Sequence, residues 1–252
     1  MFALDPATAA VLVVVAFVGG IGITAIGPGG ILVTAALFAL TATDPATVAG
    51  TASATFVATG LLGVATYVRS GELAARAGRR DAVVLSVTGV VGALLGVWLN
   101  ARLTSASFGA LLGVVVTLSG LLVWWRTRAG SGARDPPGTV AVTLVGFGVG
   151  TASGMLGVGG PVLAVPLLVA LGAPMLAAVA VAQVQSVFIA GMATAGYLAQ
   201  GAVSPTLALL VGVPELVGAL AGWRLAHSVD TVRLKRALAA VLVLLGPYLA
   251  FA

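Results

Sequence analysis

Between Asp81 and Arg102 the chain runs for about 20 residues, AVVLSVTGVVGALLGVWLNA, without a single charge. At 1.5 Å of rise per residue, that is enough helix to cross a hydrocarbon core of about 30 Å. Lipid offers a backbone no hydrogen-bond partner, so such a segment has to satisfy its own N–H and C=O groups, which a helix does and an open strand cannot. The pattern recurs. Hydrophobic residues make up 60% of the 252 and charged residues 8%, against about 45–50% and 25% in soluble domains. The fold class this predicts is an all-α polytopic membrane protein.

The same composition narrows the chemistry. A net charge of +5 does not make a nucleic-acid surface here, because the basic residues sit in short loops between apolar segments and read as topology signals. There is no cysteine and one histidine, His227, so a thiol nucleophile, a disulfide and a histidine metal cluster within one chain are all excluded. The opening MFALDP has no basic run, so the first apolar segment is expected to be a retained helix.

Apolar segments are expected at about 9–26, 31–41, 46–68, 81–100 and 106–125, then at about 139–156, 161–171, 176–199, 204–226 and 234–251. The hydrophilic stretch RTRAGSGARDPPG, 126–138, separates two halves of the same plan, 1–125 and 139–252. A slide of 130 residues places Phe17 on Phe147, Gly20 on Gly150, Gly27, Gly29 and Gly30 on Gly157, Gly159 and Gly160, Tyr67 on Tyr197 and Gly71 on Gly201, with no gap. With an offset of 126, VGALLGVWL meets VGALAGWRL. A shared segment order with matching aromatics and glycine clusters is the mark of a duplication.

Loop charges orient the copies. Arg69, Arg76, Arg79 and Arg80 follow the third apolar segment of the first half, while the next loop holds only Arg102. In the second half AQGAVSP has no basic residue, and the following loop is flanked by Arg224 and holds Arg233, Lys235 and Arg236. If basic loops face the cytoplasm, equivalent loops face opposite sides, which is an inverted-topology repeat with the linker 126–138 cytoplasmic. Inversion needs an odd number of crossings per half. Three transmembrane helices and a glycine-broken helical hairpin satisfy it; a single kinked long helix, with a parallel repeat, is the alternative.

The breaks themselves, Gly27-Pro28-Gly29-Gly30 and Gly157-Val158-Gly159-Gly160, are the first site candidates. Backbone that leaves its helix at membrane depth is tolerated only inside protein or beside a water-filled cavity. A helix begins after each break, its first N–H groups lack intrahelical partners and its dipole is positive there, so an anion is the natural ligand. Small residues that only let helices pack are the bland alternative. On the next helix of each half, Thr51, Ser53 and Thr55 align with Val181, Gln183 and Gln185, with Ser186 adjacent; glutamine amides can donate to an oxyanion, whereas hydroxyls often bond back to their own helix. Thr24 and Ser153, just before the breaks, are weaker candidates. Glu215, in VGVPELVGAL, is the one carboxylate deep in an apolar segment and a candidate for carrying a coupling proton, or else for a hydrogen bond or ion pair across the bundle, with Arg224 or backbone freed by Pro214 as partner. Trp98, Trp124, Trp125 and Trp223 lie near segment ends as interfacial anchors.

Taken together, GGIGITAIGPGGILV, GVGTASGMLGVGGPVLAVPLLVALG, GTASATF with ATYVRSGEL, and VGALLGVWLNARL with VGALAGWRLAHSV resemble the TauE/SafE (sulfite exporter) family of membrane permeases over nearly the whole chain. The resemblance implies passive or ion-coupled movement of small sulfur-containing anions such as sulfite, sulfoacetate or organosulfonates across the cell membrane. Pro28 inside the first turn and Glu215 in place of a small residue depart from the family pattern. No ATP-binding motif is present and no cofactor is implied, so any energy comes from gradients. The leading expectation is a secondary transporter, coupled if at all to H+ or another ion, with a homodimer compatible with its plan. The rivals are an anion channel, a non-transporting membrane subunit and, weakest, a membrane enzyme, which would need a nucleophile with its base or a carboxylate pair.

Overall fold

A computed structural model describes residues 4–73, 76–129, 138–228 and 232–251, and its regular structure among these is helical throughout. The order is α1 (Pro6–Ala25), a short 3-10 turn (Pro28–Gly30), α2 (Ile31–Leu40), α3 (Pro45–Ser70), α4 (Arg76–Asn100), α5 (Ser105–Ala129), α6 (Thr139–Leu156), α7 (Gly160–Ala170), α8 (Met175–Ala199), α9 (Pro205–Ser228) and α10 (Val232–Phe251). Of the expected linker 126–138, residues 126–129 continue α5 and Gly138 caps α6; the remainder lies outside the described residues.

Among the described residues seven helices are long and apolar enough to cross a membrane: α1, α3, α4, α5, α6, α8 and α9. Their starts are chemically marked. Asp5 accepts from the Ala7 N–H at 2.9 Å and Asp44 from the Thr47 N–H at 3.0 Å, and each is followed by a proline at the first helical position, where a missing N–H costs nothing. Large apolar side chains such as Val14, Val87, Leu144, Leu209 and Leu244 point outward, as lipid-facing positions do. At the end of α4, Arg102 stacks 3.4 Å over the Trp98 ring and donates to the Trp98 carbonyl, an amphipathic pair suited to the membrane boundary.

Close backbone contacts give the helix directions. Gly19 abuts Val33 and Gly22 abuts Gly29, so α2 folds back along α1 as a hairpin instead of continuing it. Gly50, Gly60 and Gly63 of α3 meet Tyr197, Val187 and Gln183 of α8, the numbers falling on one helix as they rise on the other. These two helices are antiparallel, and so are α5 and α10, where Gly109, Gly113 and Gly120 meet Leu249, Gly246 and Leu242. By contrast α1 runs parallel to α9, with Gly218 on Phe17 and Gly222 on Ile21, and α6 runs parallel to α4, with Gly92 on Phe147 and Gly96 on Thr151.

These contacts form one pattern used twice. The α1–α9 pair corresponds to the α6–α4 pair down to single atoms: a Cβ on Gly20 would lie 2.1 Å from the Glu215 carbonyl oxygen, and one on the equivalent Gly150 would lie 2.1 Å from that of Gly89, the counterpart of Glu215. Equivalent helices that pack antiparallel are related by an approximate two-fold axis lying across the helices. Helices α3 and α9 are parallel, since Thr51 accepts from the Ser204 N–H and Thr55 touches Gly212, so their C-terminal ends, with Arg69 and Arg224, share one end of the bundle.

Candidate functional site

The two glycine turns come together between α3 and α8. A cavity of about 10 Å³ separates them, lined by Ile23, Gly27 and Gly30 from one hairpin, Val158, Gly159, Pro161 and Val162 from the other, Phe56 and Thr59 from α3, and Ser186 from α8. Every one of these residues is buried. The space is of the size that holds a single water. Phe56 and Ser186 are themselves equivalent at the offset of 130 and lie near the midpoints of their helices, so the cavity is at mid-bundle, with the Phe56 ring and the hydroxyl residue Thr59 on α3 and Ser186 on α8.

The turns present the ends of two short helices to this cavity. Neither Gly30, which precedes α2, nor Gly159, which precedes α7, supplies a side-chain cap. No side chain therefore covers the head of either helix, although on α2 the Ile31 N–H is already taken by the Gly29 carbonyl in the 3-10 turn and on α7 Pro161 has no N–H to offer. Gly159 adopts φ 79° and ψ 147°, a left-handed conformation that an L side chain resists. Its neighbour across the cavity is the Phe56 ring, which also faces Gly30, so one aromatic ring wedges between both turns.

The carbonyl ends of α1 and α6 need partners too, and they find them in matching places. The Tyr67 hydroxyl donates to the Thr24 carbonyl at 2.6 Å, and the Tyr197 hydroxyl donates to the Gly154 carbonyl at 2.7 Å. Donor and acceptor both obey the 130-residue offset. Thr24 in turn donates to the Ala219 carbonyl at 2.6 Å, Ser153 to the Gly159 carbonyl at 3.1 Å, Asn100 to the Met155 carbonyl at 2.7 Å and Thr34 to the Gly157 carbonyl. Broken helices survive at this depth because side chains from other helices take over the freed carbonyls.

Of the residues expected from the sequence to touch a ligand, the structure brings Gly27, Gly30, Val158 and Gly159 around the cavity. Pro28 starts the 3-10 turn, Gly29 is pressed on the α1 backbone, Gly157 on the Ala49 backbone and Gly160 on Ser186, so these four shape the turns from behind. Thr51 accepts from Ser204, and Ser53 is buried on α3 away from the cavity lining. Gln183 and Gln185 do not reach the cavity: their amide groups donate to the carbonyls of Ile23 at 3.3 Å and Leu85 at 3.4 Å, and the Gln183 side chain lies over Gly63. The Oε1 atoms of both are buried without a hydrogen-bond partner among the described residues. Glu215 is fully buried with the Thr55 hydroxyl as its polar neighbour; that hydroxyl donates to the Ala52 carbonyl at 3.0 Å, and neither carboxylate oxygen has a hydrogen bond of normal geometry among the described residues.

Six lining residues were not singled out as ligand contacts by sequence reasoning: Ile23, Phe56, Thr59, Pro161, Val162 and Ser186, the last noted only as a neighbour of Gln185. The signal was present, since the offset that superposes the turns also superposes Phe56 on Ser186, but a pair of unlike residues does not register as an identity.

Neither the curated proteins nor the solved structures return a match to this chain. Among protein families, residues 8–249 match the one described as Sulfite exporter TauE/SafE. With that match spanning nearly the whole chain and seven apolar helices long enough to cross a bilayer, the protein belongs to the TauE/SafE sulfite exporter family and is a multi-pass protein of the cell membrane.

Proposed function

We propose that the chain is a secondary transporter of small sulfur-containing anions, sulfite or organosulfonates, which bind between the two glycine turns and reach either side in alternation. The observation that carries this reading is the central cavity: two uncapped helix starts, from equivalent places in a duplicated sequence, converge on one buried space together with the hydroxyls of Ser186 and Thr59. Helix N-termini favour negative charge without needing a cation in the membrane interior. Sulfite has four heavy atoms and the space holds about one water, so the closed arrangement is an occluded one. Entry of the anion requires the turns to part and the Phe56 ring to swing away.

The repeat is read as inverted in the membrane. With α3 antiparallel to its counterpart α8, and with Arg69 and Arg224 at the same end of the bundle, the basic end faces the cytoplasm and Arg102 lies at the opposite end. The two glycine hairpins, each clamped on a helix of the other half, α1 on α9 and α6 on α4, then move relative to each other about a site at the bilayer midplane, exposing it first to one side and then to the other.

The test is flux of labelled sulfite into proteoliposomes of the purified chain. A carrier gives a rate that saturates with sulfite and is accelerated by unlabelled sulfite inside, because the loaded site returns faster than the empty one. A linear, non-saturating rate with no such counterflow identifies an anion channel. No flux from folded protein identifies a non-transporting subunit.

A further inference from the structure

The transport reading leaves two features unused, and they lie side by side. One is Glu215, fully buried with neither carboxylate oxygen hydrogen-bonded among the described residues. The other is a ridge of four threonines at every fourth position of α3: Thr47, Thr51, Thr55 and Thr59. Thr47 lies at the surface, where its hydroxyl donates to the Asp44 carboxylate at 2.7 Å. Thr51 is buried and accepts from the Ser204 N–H at 3.0 Å. Thr55 stands beside Glu215, with its hydroxyl donating to the Ala52 carbonyl at 3.0 Å, and Thr59 lines the central cavity. The ridge thus runs from one face of the bundle to the anion site, passing Glu215 on the way.

Pseudo-symmetry separates this arrangement from mere packing. The counterpart of Glu215 is Gly89, and the counterpart of Thr55 is Gln185; a Cβ on Gly89 would lie 3.2 Å from the Gln185 amide nitrogen. Each niche therefore holds one long polar side chain against a smaller residue, contributed by α8 in one and by α9 in the other. The amide of Gln185 fills its niche without an ionisable group. The remaining ridge positions on α8 are Ala177, Val181 and Ile189, so the hydroxyl file belongs only to the niche that holds the carboxylate.

We infer that Glu215 and the Thr47–Thr51–Thr55–Thr59 ridge form a proton path that couples proton movement to anion movement at the central site. Neighbouring threonines on such a ridge are about 6 Å apart, a gap that one water bridges. A proton passed along the file bonds to a Glu215 carboxylate oxygen, giving a neutral acid; it leaves by way of Thr59 to water or anion in the cavity, which restores the carboxylate. The niche offers one carboxylate and one hydroxyl, which suit a proton and are too few for a metal cation that takes about six oxygens. Among the described residues of the helices packed on it, no charged group faces the carboxylate. Helix α1, whose Gly20 packs on its backbone, has no titratable residue between Pro6 and Ala25. On α3, Asp44 and Arg69 are roughly 16 and 21 Å away along the axis, and on α9 Arg224 is roughly 13 Å away.

This rests on the transport reading, and the test separates the two. Full-length protein is reconstituted in phosphatidylcholine–phosphatidylglycerol vesicles with a pH dye inside and ethanesulfonate as the anion, because it stays ionised and carries no proton itself. In the wild type an ethanesulfonate gradient moves protons. E215Q, which reproduces the amide of the symmetric niche and so keeps the packing, retains exchange of labelled ethanesulfonate within about twofold but loses coupled proton movement by at least about fivefold; T55V weakens it with Glu215 in place. Coupled proton movement unchanged in E215Q overturns the proposal, as does wild-type ethanesulfonate flux that moves no protons, which leaves transport standing. If the wild type moves no ethanesulfonate, infrared difference spectra decide: a protonated-carboxyl C=O band that titrates with pH and is missing in E215Q keeps the proton site and removes that cargo, and no such band overturns both.

Discussion

Gly159→Leu stops anion flux while leaving the protein folded. The argument is local. At φ 79° a leucine backbone is strained by about 1–3 kcal/mol, and its Cβ would lie 3.2 Å from the Phe56 ring on the way into a cavity that holds about one water. The rest of the side chain has no space except the one the anion needs. The strain is a small part of the stability of a bundle this size, so the variant is expected to elute as a single species in detergent with its thermal midpoint lowered by several degrees. Its uptake of labelled sulfite in proteoliposomes is expected to fall by roughly two orders of magnitude, as when a reacting or binding geometry is displaced by an ångström or more. Flux equal to that of the wild type removes the site from between the turns.

Gly29→Ala acts by a different route and fails as a fold. Its Cβ would sit 2.3 Å from the Gly19 carbonyl oxygen and 2.5 Å from the Gly22 Cα. These are backbone atoms of α1, which is pinned from the other side where Gly20 meets the Glu215 carbonyl oxygen, so the first hairpin cannot spread to make room. A loss of about 3 kcal/mol or more is expected, at the upper end for overpacking, with a thermal midpoint lowered by roughly 10 °C and a much reduced yield of monodisperse protein. The control is Gly148→Ala on α6. Apart from its own stretch of helix, no described atom lies within 4 Å of where that Cβ goes, and alanine is the better helix former by up to about 1 kcal/mol. The same substitution is thus expected to destabilise at one glycine and to be neutral or stabilising at another; similar midpoints for the two variants contradict the packing described for the hairpin.

The contrast between these glycines also explains what was legible in the sequence. Helix ends fell within about five residues of the limits of the apolar segments, because each end is a local event: Asp5 and Asp44 cap, Pro6 and Pro45 start, Gly71 stops in a left-handed conformation. The hairpin at Gly27–Gly30 was legible because an 11-residue apolar arm cannot cross a bilayer alone, and α2 does fold back on α1. What the hairpin's glycines do individually was not legible. Gly30 and Gly159 border the cavity while Gly29 and Gly157 press on backbone, a distinction set by partners far away in the chain. The glutamines illustrate the same limit. A buried amide needs partners, but whether it serves a ligand or a carbonyl depends on which helix end lies opposite; Gln183 reaches the Ile23 carbonyl, 160 residues distant, precisely at the end of the helix that the glycines break. Tyr67 and Tyr197 announced the duplication as identities, and only the fold gives their task of holding the two broken helix ends.

The central claim is that the anion sits between the two turns, and it is tested most directly by locating a heavy-atom analogue. Selenite replaces the sulfur of sulfite with a strong anomalous scatterer in the same pyramidal oxyanion shape. A structure of the protein with selenite is expected to give one strong anomalous peak bounded by Gly27, Gly30, Gly159 and Ser186, with the Phe56 ring displaced and backbone N–H groups of α2 and α7 directed at the oxygens. A peak in another part of the bundle, with the turns still closed on Phe56, contradicts the account.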